Sequence, residues 1–356
     1  MKIEVYSPTI RRKEMDAVLT AMVEEKIGPG DRNRLLIQTA REQLRFDYAL
    51  ALRSPAVALY LALKALAPRP GQAVVISALS PRYYFQVIED LQLTPLFCDV
   101  SFDFPCMSRE TIEKAAADKP DGLEICAVVI HHTLGFIPDT ASIVELGFPV
   151  IEDISHSYGR RVRAGETNGE TVKDRDEPLF KINGMFCILG LEERDMLTSG
   201  GGALLFAMNR RDGSYLRNFA AIPDEYCLPD INAALAVVQF KELSRNIERR
   251  RGIARVYTQA SLRTRHKRFI PLVEDDFNNY SFSLVLETGL KDVVAYAKKK
   301  EIIIESAFGN TVSGAGLCGK CPVSGSLALR TVLFPMYPML RSQDAERVSR
   351  LIMTLP

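Results

Sequence analysis

Two groups of residues in this chain have the types and spacing that chemistry requires. Asp153 lies at the end of an apolar run at 149–154, and His156 follows it closely. A carboxylate beside an imidazole at the end of a strand can move protons or bind a charged ligand. A strand-end aspartate can equally serve only to cap or pair with its own loop. The sequence leaves both interpretations of Asp153 open.

The second group is the CxxC motif Cys318-Gly-Lys-Cys321. A structural zinc site needs a second ligand pair at matching spacing, and His131 and His132 lie far away in sequence. A redox-active pair is expected at a helix start beside a strand. We interpret the two residues as loop cysteines, and no metal site is predicted.

The elements that must position these residues alternate along the chain. Short apolar runs alternate with helical patterns, which predicts a mostly parallel sheet covered on both faces. Such a sheet binds ligands at the carboxyl ends of its strands. The predicted strands are 74–79, 95–100, 125–131, 149–154, 185–189 and 203–206, and the predicted helices are 31–46, 55–67 and 83–91.

A second, smaller domain is predicted after a long helical pattern at 229–259. We place the boundary inside this helix, which gives a large domain at 1–243 and a small α+β domain at 244–356. The expected elements of the small domain are a strand at 280–286, a helix at 293–300, a strand at 302–304 and a closing helix from 342. The Gly-, Thr- and charge-rich stretch 162–183 is expected to be an exposed loop or flap.

Composition excludes several classes of protein. The net charge of +1 argues against nucleic-acid or anionic-membrane partners. No apolar run reaches the roughly 18 residues of a membrane span, and the first residues are too polar for a signal peptide. Seven cysteines, an odd number scattered through the chain, indicate reduced thiols in a cytoplasmic protein.

Five motifs in a consistent order resemble one family over nearly the whole chain. They are 27–30 with 46–51, then 150–153 with 155–159, then 197–202, 228–234 and 334–338. Together these segments resemble the DegT–StrS sugar aminotransferases, which are fold-type-I enzymes dependent on pyridoxal phosphate (PLP). The resemblance implies a mostly parallel seven-stranded-type sheet between helices, a small α+β C-terminal domain and a homodimer.

The resemblance also implies a chemistry and the residues for it. Family members transfer an amino group to a nucleotide-linked keto-sugar, and the cofactor carries the carbanion chemistry. The carboxylate that pairs with the pyridine nitrogen corresponds to Asp153. The lysine that binds PLP as a Schiff base corresponds to Asp195, and the sequence has no lysine between Lys181 and Lys241. His156 stands at the position of the family's glutamine.

Other positions of the cofactor pocket are altered as well. The Ser-Gly-Thr that opens the phosphate-binding helix is replaced by Ser54-Pro55-Ala56, so one N–H and one hydroxyl are lost. The serine five residues before the lysine corresponds to Gly190. The asparagine that reaches over from the partner subunit corresponds roughly to Glu225. The stacking aromatic falls near Pro81, and Tyr83 and Tyr84 follow closely.

The sequence therefore predicts a family member that lacks PLP-dependent transamination and binds no cofactor. Its pocket is expected to hold an ion-pair network with Arg53, Arg82 and Arg194, or to bind a different small anion; alternatively these arginines point to solvent. The expected partners are a nucleotide-sugar or an active paralogous subunit in polysaccharide synthesis. One alternative is an active aminotransferase or dehydratase that uses PLP or its amine form, PMP, with a displaced lysine such as Lys181 or without a covalent bond. Another is a PLP-free enzyme that uses the acids and His156.

Overall fold

The computed structural model describes residues 2–159, 182–219, 222–271 and 277–356. The expected flap at 162–183 therefore lies outside the described residues except for its last two positions, 182 and 183. Lys181 also lies outside them. The helices of the described part are α1 Arg12–Val23, α2 Asp31–Leu44, α3 Pro55–Ala65, α4 Arg82–Asp90, α5 Arg109–Ala117, α6 Thr140–Val144, α7 Arg210–Arg217, α8 Asp230–Ser261, α9 Leu290–Lys299, α10 Pro322–Arg330 and α11 Ser342–Met353. The strands are β1 Tyr48–Leu52, β2 Ala73–Ser77, β3 Thr94–Cys98, β4 Ile125–His131, β5 Val150–Asp153, β6 Phe186–Gly190, β7 Ala203–Ala207, β8 Phe282–Val285, β9 Glu305–Ser306 and β10 Thr331–Phe334.

The large sheet has seven strands in the order β1-β7-β6-β5-β4-β2-β3. Strands β2 to β6 run parallel to one another, whereas β7 pairs antiparallel with both β6 and β1. The mostly parallel sheet expected from the apolar runs is therefore confirmed. Its parallel strands leave their carboxyl ends along one edge, where the candidate site lies.

Alternating side chains of the strands fill two layers of core. Val74 and Ile76 face one layer, in which α3, α4 and α7 cover the sheet. Val75, between them, faces the opposite layer beside α5 and α6. Because both faces are covered, these strands carry continuous apolar runs rather than an alternating pattern.

Helix α8 is 32 residues long and joins two cores. Its first half packs Phe240, Leu243 and Ile247 into the core of the large sheet. Its second half packs Ile253 and Tyr257 against a three-stranded sheet in the order β8-β10-β9. We propose that the division into 1–243 and 244–356 follows this change of core within one helix.

One predicted strand forms elsewhere. The apolar residues at 302–304 do not join the small sheet as a strand; instead Ile302 forms an isolated parallel bridge with Ile3. The N–H of Ile3 donates to Glu301 at 2.9 Å, and the N–H of Ile303 donates to Ile3 at 2.9 Å. The N-terminal segment thus satisfies this backbone, and the sheet strand β9 begins only at Glu305.

Candidate functional site

Asp153 is the last residue of β5 and lies buried at the carboxyl edge of the sheet. Its Oδ2 accepts hydrogen bonds from the hydroxyls of Tyr84 at 2.7 Å and Tyr83 at 3.1 Å. Its Oδ1 accepts from the backbone N–H of Ser155 at 3.0 Å and from the Ser155 hydroxyl. Four donors of the protein therefore hold this carboxylate, two from its own loop and two from α4.

The two tyrosines lie in the first turn of α4, which begins at Arg82 after Pro81. Their rings form an edge-to-face pair with centroids 4.9 Å apart. Burial raises the pKa of both phenols well above its ordinary value, and the Asp153 carboxylate raises it further. At neutral pH both side chains are therefore neutral hydroxyls that donate to Asp153.

Two histidines and a third tyrosine complete the cleft. The ring of His156 stacks on Tyr280 with centroids 3.9 Å apart, and it meets the ring of His131 edge to face at 4.6 Å. Burial lowers the pKa of His131 to about 4, and burial also lowers that of His156. Both imidazoles are therefore neutral at pH 7, and the buried Nδ1 of His156 has no hydrogen-bond partner among the described residues.

Asp195 follows the end of β6 and turns its carboxylate back into its own loop. Its Oδ2 accepts a hydrogen bond from the N–H of Glu192 at 2.8 Å, while Oδ1 lies 3.9 Å from Nε2 of His156. Burial raises the pKa of this carboxyl group well above its ordinary value, and the nearby Asp153 raises it further. Asp195 is thus a buried acid that shares the cleft with Asp153.

Gly190 and Asp195 depend on each other sterically. A Cβ built on Gly190 would collide with Oδ2 of Asp195 and would lie 2.7 Å from Oγ of Ser155. That hydroxyl already accepts a hydrogen bond from the N–H of Gly190 at 2.8 Å. The glycine therefore provides the space into which the aspartate carboxylate folds.

The start of α3 retains little capacity to bind a phosphate group. Ser54 is the N-cap, and its hydroxyl accepts the N–H of Val57 at 3.2 Å. Pro55 has no N–H, and the N–H of Ala58 is bonded to the carbonyl of Ser54 at 3.1 Å. Ala56 therefore carries the one N–H of this turn that remains for an anion.

The remaining candidate residues lie at the surface. Arg53, Arg82 and Glu225 are exposed. Arg194 is also exposed and pairs with Glu305, with Nη1 and Oε2 2.6 Å apart. The contacts of Asp153 and Asp195 within the described residues come from hydroxyls, amides and an imidazole, so the structure favours the solvent-facing alternative for the arginines.

No lysine of the described residues pairs with either acid of the cleft. All of these lysines are exposed except Lys119, which is half-buried and lies just after the C-terminal end of α5. Lys181 remains an open candidate because it lies outside the described part. Within the described ranges, no group of His, Cys, Asp and Glu side chains suits a metal ion.

Sequence reasoning missed three members of the cleft. Ser155 was seen only as part of a motif, although it supplies two of the four donors to Asp153. His131 was placed correctly at a strand end without a role in the cleft. Tyr280 carried no sequence signal, because its stacking on His156 depends on how the segment before β8 packs against the large sheet.

The fold is that of the PLP-dependent aminotransferases. The sequence pattern of the DegT/DnrJ/EryC1/StrS aminotransferase family matches residues 8–173 and 206–353, and the chain belongs to this family. The stretch between the two matched parts, 174–205, contains both Gly190 and Asp195.

Solved structures share the fold over almost the whole length. The aminotransferase TlmJ from Streptoalloteichus hindustanus superposes with a TM-score of 0.82 at 21% identity, covering 99% of this chain and 98% of that one. A DegT DnrJ EryC1 StrS aminotransferase from Brucella abortus gives 0.83 at 21% identity, with 96% and 94% covered. PseC from Helicobacter pylori, an aminotransferase involved in the biosynthesis of pseudoaminic acid, gives 0.84 at 14% identity, with 99% and 98% covered. At these identities the likeness is one of fold.

The described residues do not fit PLP held in the way that the family resemblance implies. Asp195, which the resemblance places at the position of the lysine, turns its carboxylate to the loop backbone. Oδ2 of Asp153 accepts hydrogen bonds from the hydroxyls of Tyr84 and Tyr83. To pair with a pyridine nitrogen, this oxygen would have to lose or share those hydrogen bonds. The first turn of α3 offers one free N–H in place of a phosphate cup. We therefore derive no step through PLP.

Proposed function

We propose that this chain is a member of the sugar aminotransferase family that has lost PLP-dependent transamination. The observation that carries the proposal is the pair Asp195 and Gly190. The resemblance places Asp195 at the position of the primary amine and Gly190 at the position of a phosphate-binding serine. In the structure, Gly190 leaves the space that the Asp195 carboxylate occupies. An aspartate cannot form an imine, so restoring the cofactor site requires changes at more than one position.

The cleft then serves to bind a polar ligand without a cofactor. His156 offers a buried nitrogen without a hydrogen-bond partner among the described residues, and its ring lies against Tyr280 and 3.9 Å from the Asp195 carboxylate. Asp153, with the hydroxyls of Tyr83 and Tyr84 on it, adds further polar groups. Neutral imidazoles and buried acids suit the hydroxyls of a sugar better than they suit a phosphate. We propose a nucleotide-linked sugar as the ligand, with its sugar in the cleft and its charged part outside it.

The proposed setting is surface-polysaccharide synthesis in the cytoplasm. PseC, which shares this fold, takes part in the biosynthesis of pseudoaminic acid. No helix in the described ranges is long and apolar enough to cross a bilayer. A protein that keeps the sugar site but not the amine transfer can act beside an active paralogue in such a pathway.

We propose a second copy of this chain as its main partner. Helix α1 presents Met15, Leu19, Met22 and Val23, each more than half exposed, at the spacing of one helical face. An apolar stripe of this kind is typical of a surface that another chain covers. A paralogous subunit in the same place is the alternative partner.

Spectral titration with PLP tests the proposal. Purified protein is mixed with increasing PLP, and absorbance is compared with that of free PLP and of a PLP-binding family enzyme. We expect the spectrum to remain that of free PLP, while calorimetry detects a nucleotide-linked hexose. Asp153→Asn, which keeps the size but not the charge, should weaken the binding of that sugar.

The alternative is an active enzyme that uses a displaced lysine or holds its cofactor without a covalent bond. It is favoured by the family membership and by the presence of Lys181 upstream of Asp195 in the sequence. This alternative predicts a yellow protein whose absorbance band disappears after borohydride reduction. A saturable band of that kind would overturn the proposal.

A further inference from the structure

The CxxC motif ends at a helix start, and Cys318 lies in the loop before that helix. Cys321 is the N-cap of α10, and Pro322 occupies the first helical position. The start of α10 sits beside the end of β3, because the Asp99 carboxylate accepts the N–H groups of Val323 at 3.0 Å and Ser324 at 2.7 Å. Cys321 therefore has the placement, at a helix start beside a strand, that is expected of one member of a redox-active pair, and Cys318 precedes it by three residues.

The two thiols are unequal and interact with each other. Cys318 is half-buried, whereas Cys321 is buried. The neighbouring Cys321 thiol lowers the pKa of the Cys318 thiol most of all, and the backbone N–H groups of Lys320 and Cys321 lower it further, although burial and Asp99 act in the opposite direction. The accessible sulfur is thus the one whose thiolate is stabilised.

Metal binding does not account for this arrangement. Cys98 also lies near the pair and raises the pKa of Cys321, after the larger effects of Cys318 and burial. Among the residues that the structure describes, however, no set of three His, Cys, Asp or Glu side chains could hold a metal ion. A CxxC motif with one accessible and one buried thiol is typical of a dithiol that can close into a disulfide.

We propose that Cys318 and Cys321 form a redox-active dithiol that exchanges with an external disulfide. The Cys318 thiolate attacks one sulfur of that disulfide, forms a mixed disulfide and releases the other sulfur as a thiolate. The Cys321 thiol then loses its proton and attacks Cys318, which releases the second external thiolate. The chain is oxidised by two electrons, and one external disulfide becomes two thiols.

The loop that precedes Cys318 is also hydrogen-bonded to the segment that leads into the cleft. The N–H groups of Ser313 and Val312 donate to Ala78 at 2.8 Å and to Ser80 at 3.0 Å. The N–H of Arg82 donates to Asn310 at 3.1 Å. The loop that leads to Cys318 is therefore bonded to the segment from which α4 and its two tyrosines begin, and a disulfide would fasten one end of this loop to α10.

Thiol counting in the full chain tests the dithiol. The native protein is treated with oxidised glutathione, denatured, alkylated and weighed, with a reduced sample as the reference for all seven cysteines. We expect two thiols to be lost, a linked peptide that joins Cys318 to Cys321, and full recovery after dithiothreitol. Cys321→Ser should instead trap glutathione on Cys318, because the resolving thiol is missing.

The controls make the outcome decisive. Cys126→Ser removes another partly buried cysteine and should leave the loss of two thiols unchanged. Seven free thiols after treatment, or a disulfide that joins Cys98 to either residue, would overturn the proposal. The wild-type count alone decides this if a serine variant fails to fold.

Discussion

The hydroxyl of Tyr84 donates a 2.7 Å hydrogen bond to Oδ2 of Asp153, and Tyr83 donates a second to the same oxygen. Family resemblance assigns that aspartate to the pyridine nitrogen of PLP. In this chain two neutral phenols hold it instead. The relationship links the start of α4 to the end of β5, so it should contribute to stability as well as define the cleft.

Tyr84→Phe should therefore destabilise the fold. The change removes one donor from a buried carboxylate, and such hydrogen bonds contribute about 1.5–3 kcal/mol. The free energy of unfolding in urea should fall by that amount. Tyr215→Phe, at an exposed tyrosine of α7, should change it by less than about 0.5 kcal/mol. Equal effects of the two variants would show that the hydrogen bond from Tyr84 to Asp153 does not contribute measurably to the free energy of unfolding.

Gly190→Ala should cost about 1–3 kcal/mol, because its Cβ collides with the Asp195 carboxylate and approaches Oγ of Ser155. In an Asp195→Ala background the collision with the carboxylate is gone, so the cost should drop by at least about 0.5 kcal/mol. Urea unfolding of the four proteins in this cycle measures the coupling.

Gly325→Ala is the matched control for that cycle. No atom lies within 4 Å of a Cβ at this helical position in α10, so alanine should be neutral or stabilising by up to about 1 kcal/mol. If the effects of Gly190→Ala and Asp195→Ala simply add, the two residues are independent, and the steric account of the lost lysine position is wrong.

The stability of the chain should fall as the pH falls from 6.5 towards 4. Burial lowers the pKa of His131 from 6.5 to about 4. In that window the unfolded chain binds a proton that the folded chain does not, so the free energy of unfolding decreases as pH decreases. At about 1.36 kcal/mol per unit the contribution of His131 is about 3 kcal/mol. His156, lowered by burial as well, acts in the same direction.

The contribution of Asp195 to the free energy of unfolding depends on pH in the opposite direction to that of His131, so the two residues can be tested against each other. Its raised pKa means that the folded chain keeps a proton that the unfolded chain loses above pH 3.8, so this contribution falls as pH rises. His131→Asn should flatten the dependence of unfolding free energy on pH between 4 and 6.5, and Asp195→Asn should steepen it. Parallel curves for wild type and both variants would contradict these assignments.

Much of the fold follows from the sequence, because burial on both faces leaves a strong signal. Strand β4 runs from Ile125 to His131, as its apolar run predicts, and Asp153 stands at the end of β5 for the same reason. The pattern fails at 302–304, where apolar residues pair with the chain's own N-terminal segment rather than with the small sheet. Periodicity detects burial, but it does not identify the partner that buries a segment.

The site could be located from the sequence but not completed. Absence of a lysine near Asp195 is a local fact, which the sequence states directly. The replacement contacts are long-range: Tyr84 reaches Asp153 from another helix, and Tyr280 reaches His156 from beyond α8. Cys321 shows a third limit, since a proline at the first helical position was a helix-start signal that the loop interpretation overlooked.

Leu19→Asp should convert the proposed dimer into a monomer. The change puts a charge in the middle of the exposed apolar face of α1, where a second copy would have to bury it. Light scattering coupled to size exclusion should give about twice the chain mass of 39.7 kDa for wild type and the chain mass for the variant.

Leu262→Asp is the control for the dimer, since this leucine is 79% exposed at the end of α8, away from the α1 stripe. It should leave the measured mass unchanged. A monomeric wild type, or a dimer that tolerates Leu19→Asp, would remove α1 from the proposed interface.

Mass analysis of the chain after incubation with PLP and borohydride tests the central claim most directly. The reagent fixes any imine as a stable pyridoxyl group, and peptide mapping then covers every lysine, including Lys181 outside the described residues. Because the resemblance places Asp195 where the amine should be, we predict no stoichiometric pyridoxyl-lysine on any peptide. One lysine modified in nearly every molecule, with the adduct lost when that lysine is replaced, would contradict the account.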